Sequence, residues 1–138
     1  PSEATLSDCI NEEMNEWIIA RMDTPELKLR TKNFARRVIG VVRAMPSDRV
    51  ANPIANQIIR SGTSVAANYR AASFGKSRAD FISKLKTCIE EVDETALWLE
   101  LISEENILPA DRIEPLHAEA LELLAIFLSS VKTARDNQ

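Results

Sequence analysis

Between Phe81 and Ile102, seven residues recur at alternating steps of four and three: Phe81, Leu85, Cys88, Val92, Thr95, Leu99 and Ile102. This is a seven-residue repeat. It holds one stripe on one side of an α-helix and suits packing against other helices in a bundle. A half-buried strand would alternate with period two, which this run does not do. Ser77, followed three residues later by Asp80, supplies a helix start resembling a capping box.

The same reading extends along the chain. Leu6, Ile10, Met14, Trp17 and Ile18 share one face of an amphipathic helix over 6–21. Thr24 reads as a cap and Pro25 as part of the first turn of a helix over 25–45. Its stripe is Leu27, Phe34, Val38, Val41 and Met45, and Pro46 stops it. Asn52 and Pro53 read as the next cap and first turn, with helix to about Phe74. Gly62 lies inside that helix, where glycine costs roughly 1 kcal/mol relative to alanine. We expect a close approach of a neighbouring backbone to offset it. A break near Asn106 precedes the last helix, placed at Pro115–Arg135, because Pro109 and Pro115 do not both fit one regular first turn. Its stripe is Leu116, Ala120, Leu123, Phe127 and Val131. The expected fold is all-α: an antiparallel up-down-up-down four-helix bundle over 25–138, with an N-terminal helical extension over 1–24. Second apolar rows, such as Ile39 with Val42 and Leu124 with Leu128, fit either a wide stripe or a second face buried by self-association.

Charge is segregated within a chain of net charge −4. Residues 1–24 carry six acids and one base, net −5; residues 25–87 carry thirteen bases and three acids, net +10; residues 88–138 carry three bases and twelve acids, net −9. The basic middle raises the possibility of phosphate binding by Arg30, Lys32, Arg36, Arg37, Arg43, Arg49, Arg70, Lys76, Arg78, Lys84 and Lys86. The alternative is that the basic helices pair with the acidic ones, within or between subunits. Only Tyr69 and Phe74 lie near the Arg70–Arg78 cluster, so backbone or shape recognition is favoured over base stacking.

No run is apolar and long enough for a transmembrane span. The acidic N-terminal stretch argues against a signal peptide, and two cysteines, Cys9 and Cys88, do not suggest a disulfide framework. A cytoplasmic protein without a cofactor is expected. His117 has no second histidine beside it and reads as a solvated helix residue. The acids around Glu90 to Glu94 lack the Glu-x-x-His pairs of bundle metal sites. Ser61, Thr63 and Ser64 have no positioned base, and no phosphate-binding glycine loop is present. No enzyme is expected.

The pieces Arg60-Ser61-Gly62-Thr63-Ser64, Ala67-Asn68, Gly75-Lys76-Ser77, Asp80-Phe81, Glu91, Glu94-Thr95 and Trp98-Leu99 carry a resemblance. Over about residues 27–135 the chain resembles the bacterial four-helix bundle family related to 23S ribosomal RNA intervening-sequence proteins, which includes the accessory variability proteins of retroelements. The resemblance implies ring assembly, typically as a homopentamer, no catalysis, and adaptor roles with nucleic acid or a nucleic-acid-processing protein. The family's Glu at the end of the Ala-Asn helix turn is absent: Arg70 and Ala71 stand there, so any role of that Glu does not transfer.

Six residues are candidates for nucleic-acid contact: Arg70, Lys76, Arg78, Lys84, Arg36 and Arg37. Arg60 has a structural explanation instead. If the chain reverses near Gly75, Arg60 falls opposite Glu91, with Glu94 one turn further on the same face. An Arg60 ion pair to Glu91 or Glu94 is expected, with ligand binding by Arg60 as the alternative.

Overall fold

The computed structural model describes residues 24–136. The amphipathic segment 6–21 and Cys9 lie outside the described residues. Four helices follow in order: α1, Thr24–Ala44; α2, Ala51–Ser73; α3, Arg78–Glu104; and α4, Ala110–Asp136. There is no strand among the described residues.

The core is assembled from one stripe per helix. All seven members of the α3 repeat are buried, and so are Leu116, Ala120, Leu123, Phe127 and Val131 on α4. On α1, Leu27, Phe34 and Val38 are buried, while Val41 and Met45 are only partly covered. Tyr69 of α2 stacks on Phe127 of α4 across the core, with ring centroids 5.9 Å apart. Cys88 Sγ lies 3.8 Å from the carbonyl oxygen of Val65, and Thr95 Oγ1 lies 2.8 Å from Ser61 Oγ.

Helix ends differ from the sequence expectation in two places. Asn52 is not the cap of α2. Asp48 Oδ1 accepts hydrogen bonds from the N–H groups of Val50 and Ala51, and the Asp48 carbonyl accepts from Asn52. A carboxylate serves the exposed first-turn donors and favours the positive end of the helix dipole, so the cap moved upstream. The last helix does not start at Pro115 but at Ala110, with Pro115 inside it. Arg112 N–H bonds back to the Pro109 carbonyl, closing a tight first turn. Pro115 then costs one bond, to the carbonyl of Asp111, an exposed residue of the first turn, where water can take the place of the lost donor.

Two ends follow local chemistry closely. Ser77, in an extended conformation, accepts from the Asp80 N–H at 3.1 Å and starts α3. At its other end Asn106 adopts a left-handed conformation, φ 55°. The Asn106 N–H bonds to Ser103 and the Ile107 N–H to Ile102, a Schellman motif with asparagine at the left-handed position.

Candidate functional site: two basic surfaces and an ion-paired seam

The sequence-predicted site residues divide among three places. The first is the outer face of the α2–α3 pair. Arg60 Nη1 lies 3.2 Å from Glu91 Oε2, and its Nη2 bonds Glu94. The hydrogen bond to Glu94, ahead of the attraction of Glu91, raises the Arg60 pKa further above its ordinary value. Arg60 is therefore engaged by two carboxylates. Ser61 and Gly62 lie beside it, buried. A Cβ on Gly62 would sit 2.8 Å from both methyls of Val38. The close approach expected at Gly62 is thus to a valine side chain of α1, not to a backbone.

The second place is the α2–α3 turn. Arg70 and Lys76 are exposed, whereas Arg78 and Lys84 are half-buried. Phe74, at the C-cap of α2, is 72% exposed, and Lys28 Nζ of α1 lies 4.8 Å from its ring centroid. That is a cation–π contact. Tyr69, the other aromatic near this cluster in sequence, is buried and offers no surface. Lys28 was absent from the basic set read in the sequence. The signal for it is register: Val38 meets Gly62, so ten residues earlier on α1 falls near the end of α2.

The third place is α1. Arg36 and Arg37 do not join the turn; with Arg30, Asn33, Gly40 and Arg43 they line an open groove of about 800 Å³ beside Glu119. Arg30 is occupied: its Nε and Nη2 bond the two Glu119 oxygens at 2.9 and 2.7 Å, and Nη2 reaches Glu122 at 2.9 Å. The hydrogen bond from Arg30 holds the Glu119 carboxyl below its ordinary pKa, against the opposing effect of burial. Arg37 adds a weaker attraction on the same Glu119 carboxylate, while Arg36 and Arg43 form no salt bridge among the described residues. A Cβ on Gly40 would meet nothing within 4 Å. Gly40 therefore carries the roughly 1 kcal/mol cost of an interior helical glycine with no contact inside the described chain to explain it.

His117 is not simply solvated: Nε2 lies 2.9 Å from Glu100 Oε2, tying α4 to α3. Among the described residues no group of three or more His, Cys, Asp or Glu side chains is placed to hold a metal ion. No described helix is long and apolar enough to cross a membrane. Burial pushes the Cys88 thiol up to about 12.

No curated protein matches the chain. Among solved structures, it is similar to a protein of unknown function from the S23 ribosomal protein family of Bacteroides thetaiotaomicron. The two share 31% identity over 80% of this chain and 98% of that one, with a TM-score of 0.74. The family model described as 23S rRNA-intervening sequence protein matches residues 26–129, which takes in α1, α2, α3 and most of α4. On that match, which covers most of the four-helix core, the chain belongs to the 23S rRNA-intervening sequence protein family.

Proposed function

We propose that this chain is a non-enzymatic, self-assembling helical scaffold or adaptor of the cytoplasm, built as an antiparallel up-down-up-down bundle. The observation that carries self-assembly is a leucine row on α4. Leu121 and Leu128 are 47% and 52% exposed, with Leu124 between them only partly covered. The row flanks the buried stripe of the same helix. A bundle helix needs one apolar stripe for its own core, and a second exposed one is stabilised by a partner. Opposed numbering supports the antiparallel order: Ser61 meets Thr95 while Val65 meets Cys88, and Val38 meets Gly62 while Lys28 meets Phe74. The family resemblance favours a ring of five copies. Sedimentation equilibrium of the full chain tests this reading. A mass that is a multiple of 15.4 kDa is expected, five-fold for the ring, and a clean 15.4 kDa species overturns it.

A second reading, nucleic-acid binding, is favoured by the α2–α3 turn. Exposed Arg70 and Lys76 stand beside an exposed aromatic ring with a lysine over it. In a ring this cluster repeats, and weak contacts gain avidity. Structured RNA and duplex DNA, titrated at low and physiological salt, should bind with steep salt dependence and little sequence preference. The Arg70→Ala/Lys76→Ala chain should bind more weakly; equal binding, or none by either at low salt, removes the turn as a site.

A further inference from the structure

We propose that a second copy of this chain covers the outer stripe of α1, and does so with the outer stripe of its own α3. The contact rests on the self-assembly reading and names the two surfaces that carry it. On α1, Asn33, Arg36, Gly40 and Arg43 follow one another at steps of three, four and three, and all are exposed. On α3, Glu90, Asp93, Leu97 and Glu100 follow at the same steps and are exposed as well. Residues so spaced share one helix face. The two stripes thus have one spacing and opposite character: arginine, glycine and arginine against acid, leucine and acid.

Gly40 leaves bare backbone at the centre of the α1 stripe, where an added Cβ would meet nothing within 4 Å. Such a gap accepts a side chain from a facing helix. Leu97, 48% exposed, stands at the matching position on α3. With Leu97 over Gly40, Arg36 and Arg43 fall opposite Asp93 and Glu100 to within one residue, whichever way the two helices run. Arg36, Arg43 and Asp93 form no salt bridge among the described residues, and Glu100 forms one only with the His117 ring. That same bond sets the level of α4: three residues back from Glu100 and four on from His117 bring Leu97 and exposed Leu121 side by side. The α4 leucine row therefore borders the α3 stripe and widens the apolar landing for α1. One copy cannot make this contact alone, because the inner sides of its α1 and α3 are buried in one core and their outer stripes face away from each other. Two different surfaces meeting head to tail close into a ring or run on as a filament. Matched charges at such a contact choose the partner and its register. A phosphate backbone would account for the arginines, but not for Gly40 or the exposed leucines.

Sedimentation equilibrium of full-length chains at physiological salt tests the contact, with helix content followed by circular dichroism. The parent should run at a multiple of 15.4 kDa. Arg36→Glu with Arg43→Glu should bring the mass down to a single chain, and so should Asp93→Arg with Glu100→Arg. All four positions are exposed, so helix content should hold. All four changes in one chain exchange the charges across the contact and should restore the parent mass, which a merely misfolded variant would not do. Gly40→Leu is an uncharged second probe: it should lower the mass, and Leu97→Ala added to it should recover part of the loss. With an assembled parent, reversal variants that keep its mass, or a combined chain that stays single, overturn this contact and leave the scaffold reading standing. A parent that is itself a single chain overturns both. RNA binding abolished by Arg36→Glu with Arg43→Glu at unchanged mass assigns the α1 stripe to nucleic acid and also overturns the proposal.

Discussion

Gly62 and Val38 set the distance between α1 and α2. Both Val38 methyls would lie 2.8 Å from an added Cβ, and both residues are buried. Gly62→Ala should destabilise the chain, since overpacking of about 1–3 kcal/mol exceeds the propensity gain of about 1 kcal/mol. Combined with Val38→Ala, the added methyl fills vacated space, so the double variant should be more stable than Val38→Ala alone; urea midpoints check both signs. Arg30 and Glu119 give a pH dependence. The folded carboxyl titrates below its ordinary 4.5. Its contribution is therefore complete above that value and is lost as pH falls through the lower folded pKa. Glu119→Gln should cost about 1 kcal/mol at neutral pH for this partly exposed bidentate pair and flatten the acid limb of a stability–pH curve. That Arg30 meets Glu119 was not legible in the sequence, because nothing local relates residues so far apart. Arg60 was easier: a reversal at Gly75 brings Glu91 and Glu94 opposite by counting alone, and the side chains meet there.

At the level of the helix, the repeat from Phe81 to Ile102 gave α3 its buried face because the stripe is unbroken, polar Thr95 included. Thr95 Oγ1 lies 2.7 Å from the Glu91 carbonyl as well as beside Ser61, so a hydroxyl pair sits in the α2–α3 core with local and cross-helix partners. Thr95→Val should cost about 1–2 kcal/mol by leaving the Ser61 hydroxyl poorly paired. Thr95→Val with Ser61→Ala should cost less than the sum of the single changes, a coupling that a double-mutant cycle measures. Helix boundaries were less legible than stripes. Proline rules placed the last helix too late because they weigh the lost bond and clash but not where the freed carbonyl points. At Pro115 it lies within the first turn, where water replaces the bond. Pro115→Ala should therefore stabilise by less than the roughly 3 kcal/mol of an interior site, as thermal melts in parallel would show.

In the whole molecule, four stripes were enough to read an all-α chain with one core, but not which flank each helix presents outward. Charge segregation is the example: the basic middle of the sequence is divided between the α2–α3 turn and the α1 groove, with Arg30 and Arg60 spent on acids of α4 and α3. A count of bases along a sequence does not contain that partition. The leucine row on α4 carries the corresponding prediction for assembly. Leu121→Glu with Leu128→Glu places two charges on an already exposed flank, so the helix content should persist while the sedimentation mass falls toward 15.4 kDa. Retention of the parent mass would locate the contact elsewhere.

The thiol of Cys88 makes the bundle its own stopwatch. It is enclosed in the middle of the α3 stripe and protonated far above neutral pH, so an alkylating reagent has neither access nor a nucleophile to meet. Only an excursion that separates α3 from α2 would release it. In a Cys9→Ser background, the rate at which reagent is consumed then counts those excursions. Raising the reagent concentration until the rate no longer changes yields the opening rate itself, with no denaturant and no added probe.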